Sequence, residues 1–138
     1  KPSKKILKLA YLGVPPIMND LYSYIEERGA KVVFNEVQRE FAFPRHAKAK
    51  NIFEQYLNYT YPYGIEFRIK NLEKDLADRD VQGIIHYTQK FCHRALDNIV
   101  LKEKLPYPLL NIEADRESVL DERTKLRLDA FIDMLGDM

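Results

Sequence analysis

The feature that most constrains this chain is a unit of about 30 residues near its start: an apolar run, a helix-spaced stretch, then a second run rich in β-branched residues. Ile6-Leu7-Lys8-Leu9-Ala10-Tyr11-Leu12, closed by Gly13, reads as a buried strand. Gly13-Val14-Pro15-Pro16 turns the chain, and proline suits a first helical turn. Ile17, Leu21 and Ile25 then recur at helical spacing as far as Arg28, where Gly29 supplies a C-terminal stop. Lys31 to Val37 forms the second strand. Strand, helix and strand joined by short connections imply parallel strands, and a parallel sheet needs cover on both faces.

The rest of the chain repeats that alternation. Gln38 to Arg45 is irregular, Ala47 to Leu57 reads as a helix, and Tyr56 to Gly64 is an aromatic loop. Ile65 to Ala77 is a helix with Phe67, Ile69, Leu72 and Leu76 on its apolar side. Val81 to Tyr87 is the third strand, and Cys92 to about Lys104 a helix carrying Ala95, Ile99 and Leu101. Pro106-Tyr107-Pro108 breaks that helix before a fourth strand, Leu109 to Ile112. A loop with Glu113, Asp115, Arg116 and Glu117 leads to a last helix. That helix starts near Ser118 or Asp121, ends at Leu135, and turns Leu126, Ala130, Phe131 and Met134 inward. The order β-α-β-α-α-β-α-β-α predicts one α/β domain over residues 1–138. It is a three-layer α/β/α fold with a four-stranded parallel sheet. Analogy with flavodoxin-like and Rossmann-like sheets suggests strand order 2-1-3-4.

Composition excludes several function classes. In 138 residues, 22 Lys+Arg face 21 Asp+Glu, so no broad field argues for nucleic acid or a membrane surface. No apolar run approaches the ~20 residues of a membrane span. The start, Lys1-Pro2-Ser3-Lys4-Lys5, has no apolar signal core, and its lack of an initiator Met suggests a piece of something longer. A single cysteine forms no internal disulfide, which fits a reducing cytoplasm.

Open α/β sheets place their chemistry at the carboxyl ends of the strands. The loop after the first strand is no phosphate cradle, because it lacks the glycine pattern and two prolines remove backbone donors. The third strand delivers Cys92 where a helix should begin. Two readings follow: a small packed apolar residue, or a thiolate favoured by the helix terminus and by Lys90, His93 and Arg94. A cysteine nucleophile would need His86 or His93 as its base, within ~3 Å. A zinc site would need more ligands at characteristic spacing, and an iron–sulfur cluster could draw at most one cysteine from this chain. The same edge should gather Asn35, Glu36 and Arg39 after the second strand, and Glu113 and Asp115 after the fourth.

Three segments carry a family resemblance: Gly83-Ile84-Ile85-His86-Tyr87-Thr88-Gln89-Lys90-Phe91-Cys92-His93, Leu110-Asn111-Ile112-Glu113-Ala114-Asp115, and Leu126 to Leu135. Together with Gly29 to Glu36 and Arg45, they resemble the C-terminal part of the 2-hydroxyacyl-CoA dehydratase family. That family is often labelled 2-hydroxyglutaryl-CoA dehydratase, D-component, and it includes benzoyl-CoA reductase subunits. The resemblance runs from about Leu7 to Leu135. It implies an oxygen-sensitive lyase of anaerobes, built from two α/β lobes with an iron–sulfur cluster, usually 4Fe-4S, held between them by cysteines. An ATP-dependent activator protein supplies one electron, which passes to the acyl-CoA thioester and gives a ketyl radical from which the hydroxyl leaves. On that basis Cys92 would be a cluster ligand, and His86, Gln89, Lys90 and His93 its neighbours toward cluster or substrate. Glu113, Asp115, Glu36 and Arg39 would be edge residues of the same site. Arg127 aligns with the arginine of a family Thr-Arg pair, but Leu126 replaces the threonine. The family's other cluster cysteines belong to an N-terminal lobe. The resemblance therefore implies that lobe, a second dehydratase subunit, the activator and an acyl-CoA as partners, with the fragment inactive alone. A non-catalytic interaction or regulatory domain with a structural cysteine is the alternative.

Overall fold

Strand β1 (Leu7–Gly13) lies at the centre of the molecule because its alternate side chains are needed by both faces of one sheet. The structure, a computed structural model, describes residues 6–43, 48–58 and 64–138. Beside β1 run β2 (Ala30–Asn35), β3 (Gly83–Gln89) and β4 (Leu109–Ala114), all parallel, in the order β2-β1-β3-β4. The three-layer α/β fold and its strand order are those expected from the sequence. Leu9 pairs with both Val32 and Gly83, while His86 pairs with Leu12 and Asn111. Between Leu9 and Ala10 the register slips, leaving Val33 as an extra residue in β2.

Each face buries its own cluster. Leu9, Tyr11, Ile85, Tyr87 and Ile112 pack under α1 (Leu21–Glu27) and α6 (Glu122–Gly136) through Leu21, Ile25, Leu128, Phe131, Ile132 and Leu135. Ala10, Leu12, Phe34 and Ile84 pack under α4 (Ile65–Ala77) and α5 (Asp97–Lys104) through Leu72, Leu76 and Leu101. Gly83 is where α6 comes closest to the sheet: a Cβ there would stand 2.5 Å from Leu135 Cδ1 and 3.0 Å from Phe131.

Several boundaries differ from expectation, each for a physical reason. Helix α1 begins at Leu21 instead of near Ile17. Its preceding loop buries Met18 and is pinned by Asn19 N–H to Ser118 O (2.9 Å) and by Leu120 N–H to Asp20 Oδ1 (2.8 Å). Strand β2 stops at Asn35 because the Asn35 side chain accepts the Gln38 N–H at 3.1 Å and caps α2 (Glu36–Phe41), where an irregular segment was expected. Asn51 caps α3 (Ile52–Leu57) in the same way through the Glu54 N–H, 2.9 Å, so the helix starts later than Ala47. Strand β3 is set two residues later than expected, since Asp80 turns the chain at φ 51° and Gln82 N–H first bonds Lys8 O. Strand β4 runs on to Ala114 and takes Glu113 into the ladder. The inner face of α6 is Leu128, Phe131, Ile132 and Leu135, whereas Leu126 and Met134 face solvent along with Ala130. On α5 it is Leu101 that is buried, while Ile99 is 67% exposed. No helix among the described residues is long and apolar enough to cross a membrane.

Candidate functional site at the carboxyl edge of the sheet

The strand order reverses between β1 and β3, and the loops leaving those strands diverge there. Gly13 ends β1 at that point with φ 98°, a conformation L side chains rarely adopt, and a Cβ would meet Tyr87 O at 2.1 Å. Its amide does not face a ligand, as a phosphate loop would require. It donates to Glu36 Oε2 at 3.0 Å.

Glu36, the first residue of α2, is buried, and so is Arg68 on α4. Arg68 Nε and Nη2 donate to the two Glu36 oxygens at 2.7 and 2.6 Å, a forked pairing. Its third nitrogen, Nη1, donates to Asp97 Oδ2 at 2.8 Å, and Arg94 Nη1 reaches the same oxygen at 3.1 Å. Two guanidiniums and two carboxylates thus join the end of β1, α2, α4 and the helix that follows β3. Burial alone would raise the Glu36 carboxyl, but the Arg68 bonds, the Arg68 charge and the Gly13 amide outweigh it, and the group lies below its ordinary value.

His86 sits beneath this network on β3, buried, with Nδ1 3.3 Å from Asn98 Oδ1. Burial first, and then the Arg68 charge, push its pKa down to about 4, so the ring is neutral near pH 7. A neutral imidazole therefore lies against the paired charges of Glu36, Arg68 and Asp97.

The outer set lies on the rim between β3 and β4. The Cys92 N–H donates to Gln89 O at 2.9 Å, closing a tight turn in which Phe91 has φ 65° and an almost fully exposed ring. Cys92 itself is half-buried and precedes a short 3-10 helix, His93–Leu96, that runs directly into α5. This corrects the expected α-helix start: the first turn after the thiol is 3-10. Lys90 pairs with Asp115 at 3.7 Å, and Gln89 Nε2 donates to Asp115 O at 3.3 Å, tying the β3 turn to the end of β4. His93 is exposed, and Glu113 is exposed beside Thr88. Among the described residues neither His86 nor His93 hydrogen-bonds Cys92, so no cysteine–histidine pair is formed.

The sequence-predicted residues therefore separate. Glu36 and His86 belong to the buried lattice, and Gln89, Lys90, Cys92, His93 and Asp115 to the rim. Arg39 lies apart, paired with Asp75 at 3.6 Å to hold α2 on α4. Arg45 and Tyr59, Tyr61 and Tyr63 of the aromatic segment lie outside the described residues. Sequence reasoning missed Arg68, Asp97 and Asn98, and it placed Arg94 beside the thiol without its Asp97 partner. One signal was available for Arg68: it stands four and eight positions before Leu72 and Leu76, a charged residue in phase with the buried stripe of its helix.

Among the described residues no group of three or more His, Cys, Asp and Glu side chains could hold a metal ion. The residues present fit an iron–sulfur cluster only in part: one half-buried thiol on an accessible edge, and one cysteine in the chain.

A doubly wound parallel sheet with a polar carboxyl edge and a rim thiol places the chain among open three-layer α/β proteins. The family model for 2-hydroxyglutaryl-CoA dehydratase, D-component, matches residues 1–135, and the chain belongs to that family. No curated protein matches the chain.

Proposed function

We propose that the chain is the C-terminal lobe of a 2-hydroxyacyl-CoA dehydratase-type iron–sulfur subunit, in which Cys92 is one ligand of a 4Fe-4S cluster. The observation that carries this reading is the place of Cys92. A structural cysteine would sit among apolar side chains, and this one lies in neither buried cluster. It is half-buried at the sheet edge, in a turn shaped by backbone bonds. Family membership supports the same reading.

A cluster held in part by Cys92 would supply one-electron reducing chemistry to an acyl-CoA thioester carbonyl, activating the neighbouring hydroxyl for departure. The chain's own part is to present the thiolate in a fixed turn. Lys90 brings a cation and His93 an imidazole N–H to the same rim, where they stabilise negative charge on sulfur or substrate. Gln89 and Asp115 join the β3 turn to β4 and hold the rim in shape. The remaining ligands come from an N-terminal lobe of the same subunit. A second dehydratase subunit, an ATP-dependent activator and the acyl-CoA complete the assembly, which works in a reducing cytoplasm. Neither nucleic acid nor a membrane takes part.

The test is to express the full-length subunit anaerobically and count iron with and without Cys92→Ser. The substitution is expected to lower bound iron and alter the cluster's absorption. Unchanged iron with an unchanged spectrum would overturn the ligand role and favour a non-catalytic domain with a structural thiol.

A further inference from the structure

The four-charge lattice lies directly behind the Cys92 turn, and the two are joined through one atom. Asp97 stands five positions after Cys92, at the start of α5, and its Oδ2 accepts from both Arg94 and Arg68. The Arg94 bond is local, three residues apart. The Arg68 bond is not, since Arg68 lies 29 residues earlier on a different helix. Arg68 cannot follow Asp97 outward, because both Glu36 oxygens hold it, and Glu36 is fixed in turn by the Gly13 amide. We propose that Arg68 and Asp97 are positioning residues for Cys92: the buried guanidinium, anchored by Glu36, holds the first helical turn after the thiol against the sheet. The bearing of this on a cluster rests on the function proposed above, whereas the positioning itself does not.

The need for such a device follows from the local structure. The turn that carries Cys92 has one residue at positive φ and continues into a 3-10 segment with no side-chain N-cap bond. Backbone bonds inside the segment include the Cys92 N–H to Gln89 O, the Ala95 N–H to Cys92 O at 3.0 Å and the Asp97 N–H to Arg94 O. A segment of this kind opens readily unless tied from outside. Leu96 and Ile99 are largely exposed, so apolar burial does little of the tying before Leu101. The ties from outside are the Lys90 N–H bond to Ala114 O at 2.9 Å on the β4 side, the Asn98–His86 contact at 3.3 Å, and the charge-assisted bond from the buried arginine, which reaches α4.

The test is amide hydrogen exchange on the 138-residue chain with two single variants. Asp97→Asn weakens the Arg68 link but leaves the Arg68–Glu36 fork in place, so the fold should survive. The expected result is about a tenfold loss of protection at the amides of Cys92 and Ala95, with β1 and β4 unchanged. Arg94→Gln removes the local partner of Asp97, and protection of the turn should change by less than about twofold. Equal losses in the two variants would reduce Asp97 to a local helix-end effect and overturn the proposal. So would a uniform loss across the sheet, or no loss in Asp97→Asn.

A second arm uses the anaerobically loaded full-length subunit and reads the electron paramagnetic resonance signal of the dithionite-reduced cluster. Asp97→Asn should change that signal with iron content retained, and an unchanged signal would overturn the link from turn to cluster. Failure of the ligand role appears separately, as unchanged iron in Cys92→Ser, while the exchange result would stand.

Discussion

At the scale of single residues, Gly13 and His86 show how little space the carboxyl edge leaves. Any side chain at position 13 meets the Tyr87 carbonyl and must also adopt φ 98°. Gly13→Ala should therefore lower stability by about 2–4 kcal/mol in urea unfolding. Gly29→Ala, also at positive φ but with nothing within 4 Å, should cost only about 1 kcal/mol. His86 makes the fold sensitive to acid. The unfolded imidazole takes its proton near pH 6.5 and the folded one only near 4. Between those values the unfolded chain binds more protons, so stability is full above about 6.5 and falls as pH drops toward 4. The loss should reach about 3 kcal/mol, and His86→Gln should flatten the urea midpoint across that window. Glu36, also held below its ordinary value, adds its loss only at more acid pH. A wild-type midpoint that does not move between pH 6.5 and 4 would remove His86 from the account.

At the scale of elements, α6 and α4 show where helical periodicity leaves a choice. The α6 sequence offers two apolar stripes, and the one used is Leu128, Phe131, Ile132 and Leu135. Gly83 decides it, because the missing side chain opens a place for Leu135 and Phe131 on β3. Leu128→Ala should cost about 2–5 kcal/mol, whereas Leu126→Ala, at a position 70% exposed, should change stability by no more than about 0.5 kcal/mol. Similar costs for the two would show that the helix is rotated. In α4 the same periodicity puts Arg68 on the buried stripe beside Leu72 and Leu76, a placement that composition alone would assign to solvent. Spacing could have marked Arg68 as inward-facing. It could not have named Glu36 and Asp97 as partners, since each lies about 30 residues away along the chain.

At the scale of the whole molecule, both apolar clusters share β1 and β3, so neither layer of helices has a core of its own. Unfolding should be a single cooperative event. Leu72→Ala on one face and Leu128→Ala on the other should each shift the same transition, with costs that add within about 0.5 kcal/mol. Two resolved transitions in the double variant would show that the layers unfold separately.

The order of strands and helices and the parallel sheet were legible in the residues, because alternation and helical spacing are local patterns and short connections restrict topology; the 2-1-3-4 arrangement came from analogy with other open sheets, and the structure has it. The position of Cys92 after β3 was legible for the same reason. Tertiary structure alone decided what lies around it. Asn35 turned an expected extension of β2 into a capped helix, and that brought Glu36 inward. Once buried, Glu36 needed a partner of opposite charge, and the crossover from β2 to β3 carried Arg68 to it. Pairing of buried charges depends on which remote segments the sheet brings side by side, and no pattern within a segment records that.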